Sequence, residues 1–138
     1  MAEMTRDEVY EWLRAGAGYV RLATNGRDGY PHVVPLGYFL SGDDVVLNMR
    51  GQREVNVRRD PKVSLCWDAG TSMADLKGVV VRGSARMVDD PAGCLELTRE
   101  AARARGVPEA ELPTEARAGR NFAVVSVEHI ASWDNAKR

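Results

Sequence analysis

The sequence predicts an α+β fold in which strands dominate and curl into a barrel or a strongly bent sheet. Three observations predict it. Alternating or β-branched apolar runs recur between Tyr19 and Trp133. Clusters of Gly, Asn and Asp separate them, as turns require. Helical spacing is confined to the N-terminal residues and to one stretch inserted before the last strand.

The elements follow in order. Thr5-Arg6-Asp7-Glu8 has the form of a capping box, in which Thr5 accepts from the Glu8 amide and Glu8 reaches back. Val9, Trp12 and Leu13 fall on one face of the helix it opens, and Gly16 and Gly18 end that helix. Tyr19 to Thr24 alternates as a strand, and Asn25 to Gly29 is a turn. Pro31 to Leu40 reads as the returning strand. Pro31 and Pro35 lack an amide donor, so this strand cannot be paired on both sides along its whole length. Ser41 to Asp44 turns the chain into a strand over Val45–Met49.

Arg50 to Pro61 is ambiguous. Val55 and Val57 alternate as in a strand, yet the segment is rich in charge, and Pro61 forces a break near Asp60. Lys62–Trp67 is the next strand, and Asp68–Ala74 a polar loop. Leu76–Val88 is a long strand with Gly83 as a bulge candidate. Asp90-Pro91 opens a helix whose inner face is Leu95, Thr98, Ala101 and Ala102, with Gly106 as its cap. Pro108 and Pro113 bracket a short helical stretch, and Phe122–Trp133 is the last strand.

The chain has 138 residues, which fits one domain. Its 19 basic and 20 acidic side chains leave a net charge of −1, so bulk charge offers no case for nucleic acid or an acidic membrane. Cys66 and Cys94 lie among apolar neighbours without C-x-x-C spacing, and read as reduced, buried thiols. The N-terminal residues lack the pattern of a signal peptide, and no apolar run has bilayer-spanning length. The expectation is a soluble, cytoplasmic protein.

Several chemistries have no footing in the sequence. His32 and His129 both lie in strands and read as structural or surface residues. No Ser or Cys sits in a nucleophile-elbow pattern, and no His, Cys or carboxylate cluster has metal-ligand spacing. Asp43-Asp44 and Asp89-Asp90 are turn and cap pairs. A dinucleotide-binding glycine motif and a Walker loop are both missing.

One basic constellation remains. Arg50, Arg53, Arg58 and Arg59 crowd the segment after a strand, with Gln52 and Asn56 between them. Guanidinium forks match the oxygens of phosphate, and a short helix beginning near Arg53 would aim free amides at an anion. Charge alone equally fits a solvated face.

Motif order adds to this. Leu22-Ala23-Thr24, then Gly29-Tyr30-Pro31-His32-Val33-Val34-Pro35, then Arg53-x-x-Asn56-x-Arg58-Arg59-Asp60-Pro61-x-Val63-Ser64 occur in sequence. Gly78 to Ala85 and the terminal Ser132-Trp133-Asp134 follow. Together they resemble the pyridoxamine-5′-phosphate-oxidase-like superfamily of flavin and deazaflavin oxidoreductases, and one actinobacterial branch in particular.

The resemblance implies a six-stranded split β-barrel with flanking helices, paired as a homodimer with cofactor sites at the subunit interface. By the same resemblance Val33, Val34, Pro35 and Leu36 pass the flavin ring, largely through backbone. Asn48, Met49 and Arg50 lie along the ribityl chain and phosphate. Arg53 binds phosphate where relatives usually carry Lys, with Gln52 and Asn56 beside it. Asn56 is alternatively a helix cap. Val55 stands where relatives often carry a basic residue. Trp133 either covers the ring of the partner subunit's cofactor or closes the barrel core. Lys137 and Arg138 either reach a phosphate or form a tail.

The implied activity is hydride transfer from a reduced cofactor to a small conjugated acceptor. The branch favours coenzyme F420, with FMN as the alternative. The F420 tail would call on Arg58, Arg59 and Lys137. The catalytic proton donor has no sequence signature. Two further readings are a non-catalytic flavin or haem binder and true pyridoxamine-phosphate oxidation. The latter would need a second basic cluster, which the sequence lacks.

Overall fold

The computed structural model describes residues 2–137. It contains one antiparallel sheet flanked by three helices. The elements run α1 (Arg6–Gly16), β1 (Val20–Asn25), β2 (Pro31–Leu36), β3 (Tyr38–Ser41), β4 (Asp44–Met49), α2 (Gly51–Arg59), β5 (Lys62–Ala69), β6 (Lys77–Val88), α3 (Pro91–Ala104), a single 3-10 turn (Glu109–Glu111) and β7 (Asn121–Asp134).

The sheet order is β2-β1-β5-β6-β7-β4-β3, seven strands rather than six. The difference lies in the segment read as one strand over Pro31–Leu40. It breaks at Gly37, and its halves join opposite edges of the sheet. One residue can connect the two edges only if the sheet curls until they meet, so the order itself encodes a barrel. Counting β2 and β3 as one bent strand restores the six of the split barrel. The barrel stays open along the seam, because β2 pairs only with β1 and β3 only with β4.

Alternation fills the interior. Val20, Leu22, Val45, Leu47, Met49, Leu65, Trp67, Val79, Val81, Ala123 and Val125 are each at most 1% exposed. Val9 and Leu13 of α1 and Val57 of α2 join the same cluster. Burying each such aliphatic side chain is worth about 1.5–3 kcal/mol. Tyr38 meets Trp67 edge-on at 5.1 Å and donates its hydroxyl proton to the Leu13 carbonyl, fixing α1 to β3.

The α1 capping box forms as expected, with both reciprocal bonds between Thr5 and Glu8. Asp90 caps α3 through the Gly93 amide. The α3 inner face is rotated from the expected one. Cys94, Leu97 and Ala102 are buried there, whereas Leu95, Thr98 and Ala101 are only half-covered. The cause is a second small cluster, in which Cys94 and Leu97 pack with Val46, Val88, Phe122 and Val124. Both thiols are free, Cys94 buried and Cys66 half-buried, and burial raises the pKa of each. No helix among the described residues is long and apolar enough to cross a membrane.

Candidate functional site

The ambiguous segment after β4 is helical. α2 begins at Gly51, two residues before the expected start, and runs to Arg59. Tertiary burial overrides the strand-like alternation of Val55 and Val57. Val57 faces the core at 3% exposure, while Val55 is left in solvent. Arg50 is the N-cap, in extended backbone, and no side chain caps the helix. The first amides of α2 therefore lack an intrahelical partner and carry the positive end of the helix dipole. Gly51 has a φ of 64°, a conformation other residues rarely adopt, and the space where its Cβ would stand is open.

α2 lies across one end of the barrel. The amide of Asn56, fully buried, donates to Thr24 Oγ1 on β1 at 3.0 Å and accepts from Gln52 Nε2 at 2.7 Å. Asn56 is thus a strut between helix and barrel and not a cap. Arg53 donates from Nε and Nη2 to the Asn48 carbonyl, at 3.1 and 2.9 Å, tying the helix to the end of β4. Partial burial and the nearby Arg50 charge both lower the Arg53 pKa. It stays cationic at neutral pH, and two guanidinium groups that oppose each other's charge are relieved by an anion between them. Among the described residues Arg50 forms no ion pair.

The free edge of β2 stands beside this helix start. A cleft of about 460 Å³ is lined by the turn before β2, Pro31, His32, Gln52 and Asn56. Nδ1 of His32 is buried there without a partner. Further along, Tyr38 pairs with Leu47, so the Leu36–Gly37 corner lies next to Asn48. Pro31 and Pro35 have no amide to give β1, which leaves the ladder to His32, Val34 and Leu36. The alternate residues Pro31, Val33 and Pro35 turn their backbone to the open edge. Only Val33 offers an N–H on it.

Of the sequence-predicted residues, Gln52 and Asn56 line the cleft, Val33 to Leu36 belong to the β2 strand that borders it, and Asn48, Met49, Arg50 and Arg53 lie at the junction of β4 and α2. The Met49 side chain lies in the core, so only its backbone faces that junction. Trp133 and Lys137 lie elsewhere on the chain. Trp133 covers Gly78 on the outer sheet face. Lys137 donates to Glu8 Oε1 at 2.5 Å and to the Glu3 carbonyl. Arg138 lies outside the described residues. Arg58 bridges Glu54 and Asp89, and Arg59 donates to the Asn25 carbonyl. Asp89 and then Glu54 raise the Arg58 pKa. The sequence reads His32 as a structural or surface residue, and its position beside Pro31 gives no signal of an unpartnered nitrogen.

The family described as pyridoxamine 5′-phosphate oxidase matches residues 5–134, nearly the whole chain. The chain belongs to this family. A structure of a conserved hypothetical protein from Mycobacterium tuberculosis is similar to it, with a TM-score of 0.80 and 24% identity, over 96% of this chain and 86% of that one. An FAD-binding protein from Mesorhizobium loti has a TM-score of 0.70 and 26% identity, over 95% of this chain and 93% of that one. An F420 reductase has a TM-score of 0.60 and 24% identity, over 81% of this chain and 87% of that one. No curated protein matches the sequence. As a member of the pyridoxamine 5′-phosphate oxidase family, the chain has the split-barrel fold that these structures share.

Proposed function

We propose that this protein is an oxidoreductase that holds a flavin-type cofactor in the seam between β2 and the start of α2. The observation that carries the reading is the uncapped α2 N-terminus, flanked by an unpaired Arg50 and a partly buried Arg53. Such a terminus suits a phosphate. Arg50 would take a phosphate oxygen with its free fork, and Arg53 would add charge without leaving the Asn48 carbonyl. The open β2 edge offers one N–H, from Val33, between carbonyl acceptors. The Val33 N–H and an adjacent strand carbonyl can pair with two neighbouring positions of the pyrimidine edge of a flavin or deazaflavin, one carbonyl oxygen and the ring N–H. The orphaned His32 nitrogen beside the cleft agrees with a ligand there.

Our first choice of cofactor is coenzyme F420, with FMN as the alternative. Bound in reduced form, either supplies a hydride equivalent to a small conjugated acceptor stacked on its ring. The chain's own residues bind and orient.

The partner in this reading is a second copy of the chain. Ala23, Cys66, Val80, Ala131 and Trp133 form a half-exposed apolar patch on the outer face of the sheet, continued by Pro35 and Val33 on β2. An apolar centre with a polar rim is the anatomy of an interface, and this patch adjoins the β2 edge. Sedimentation at micromolar concentration tests it, since a monomer that still binds cofactor tightly contradicts a shared site.

Titration with each cofactor, followed by visible absorption, tests the main proposal. Saturation by F420 at micromolar concentration supports the first choice, and tight binding of FMN alone replaces it. Turnover of an artificial acceptor by the reduced holoprotein separates an enzyme from a carrier.

A further inference from the structure

β6 and β7 slip by one residue. Arg82 pairs with His129 and Gly83 with Val127, which leaves Glu128 as the extra residue of a β-bulge. Regular alternation would turn Glu128 away from the face that His129 occupies. With the bulge, Glu128 and His129 are both exposed. Facing pairs place Ser64, Arg82 and His129 in one row across the outer sheet face. A groove of about 550 Å³ follows that row, and Lys62 also lines it.

Arg21 is tied to Asp68 at 2.6 Å. Among the described residues Arg82, Lys62, Glu128 and His129 form no ion pair, although three cationic or basic groups share a groove with one carboxylate. The groove also continues the cleft at α2, because Pro31 lines both.

We propose that this groove is a second ligand site, for a carboxylate with an N–H donor next to it, as in an amino acid or a glutamyl chain. The Arg82 fork takes the carboxylate through two parallel bonds, and Lys62 adds a second positive charge. Glu128 accepts the neighbouring N–H. It also repels a compact dianion such as phosphate more strongly than a monocarboxylate. Two sources share this chemistry. One is the glutamyl tail of a cofactor whose ring lies in the adjoining seam. The other is a free acceptor carrying its own carboxylate. The groove itself does not depend on the cofactor reading, since its ligand is recognised without a ring.

The test uses the full chain without cofactor, labelled with nitrogen-15, and three probes: γ-glutamylglutamate, glutamate and inorganic phosphate. Saturable shifts centred on Ser64, Arg82 and His129 are expected with the dipeptide, with phosphate at least about tenfold weaker. Equal affinity for glutamate assigns the site to a free acceptor, and preference for the dipeptide assigns it to a tail. Both outcomes support the site. Arg82→Ala should weaken dipeptide binding about tenfold or more, whereas Arg86→Ala, exposed on the same strand outside the groove, should not. Glu128→Gln should narrow the gap between dipeptide and phosphate. Equal losses in R82A and R86A, phosphate binding as tight as the dipeptide, or no saturation by about 10 mM would overturn the proposal. The amide spectrum of each variant reports whether it is folded.

Discussion

The indole of Trp133 lies directly on Gly78 of the neighbouring strand, where a β-carbon would overlap the ring. The pair occupies the outer face and not the barrel interior, so Trp133 is not the core plug that one reading of the sequence offered. Gly78→Ala should displace the indole and cost about 1–3 kcal/mol. Urea unfolding measures the loss, and the near-ultraviolet dichroism of the variant should change.

Asn56 carries a second prediction. Its amide is the buried link from α2 to Thr24. Asn56→Ala leaves the Thr24 hydroxyl without its donor and should destabilise by about 1–3 kcal/mol. Asn56→Asp should do worse, because it buries a charge and cannot donate to Thr24. Chemical denaturation of the two variants gives the order.

The β2 edge can be tested through backbone alone. Pro already occupies positions 31 and 35, in the same phase as Val33. Val33→Pro should therefore fold, with stability changed by no more than about 1 kcal/mol. It should weaken cofactor binding about tenfold, by removing the one edge donor. Loss of folding would instead place the Val33 amide in the β1 ladder.

The two chain ends are clasped by Glu8 and Lys137, and this contact has a pH signature. The bond from Lys137, then the Thr5 amide, lowers the Glu8 pKa from 4.5 to about 2. A carboxylate with a lowered folded-state pKa contributes stability above its unfolded value and loses it as pH falls towards the folded one. The melting temperature should therefore drop between about pH 4.5 and pH 2 by more in the native protein than in Glu8→Gln. Parallel curves for the two would show that the clasp adds nothing in solution.

Much of the architecture was legible because local chemistry and fold agree. The Thr5 capping box, the Asp90 cap and the proline-blunted β2 stand where their residues demand, whereas the register slip falls at Gly83 but its extra residue is Glu128 on β7. α2 was not legible, since Val55 and Val57 alternate and only the barrel end decides which one is buried. Nor was the break at Gly37, where barrel closure is a long-range demand that no local pattern encodes. The seam residues come from motif order and the resemblance it carries, and their role is part of the proposal. The engagement of Arg58 with Asp89, of Arg59 with the Asn25 carbonyl and of Lys137 with Glu8 was not legible, because those acceptors are distant in sequence. The groove at Arg82 escaped for the same reason, as it draws on five strands and a register slip.

Arg50 gives the most direct test of the central claim. It is exposed, makes no ion pair among the described residues, and stands at the uncapped start of α2. Its removal should leave the fold unchanged and cost only the cofactor phosphate contact, about 1.5–3 kcal/mol. The measurement is the dissociation constant of the preferred cofactor for the native chain and for Arg50→Ala, beside their urea unfolding curves. The account predicts superimposable unfolding and binding weakened by about ten- to a hundredfold. Equal affinity in the two proteins would contradict a phosphate site at α2.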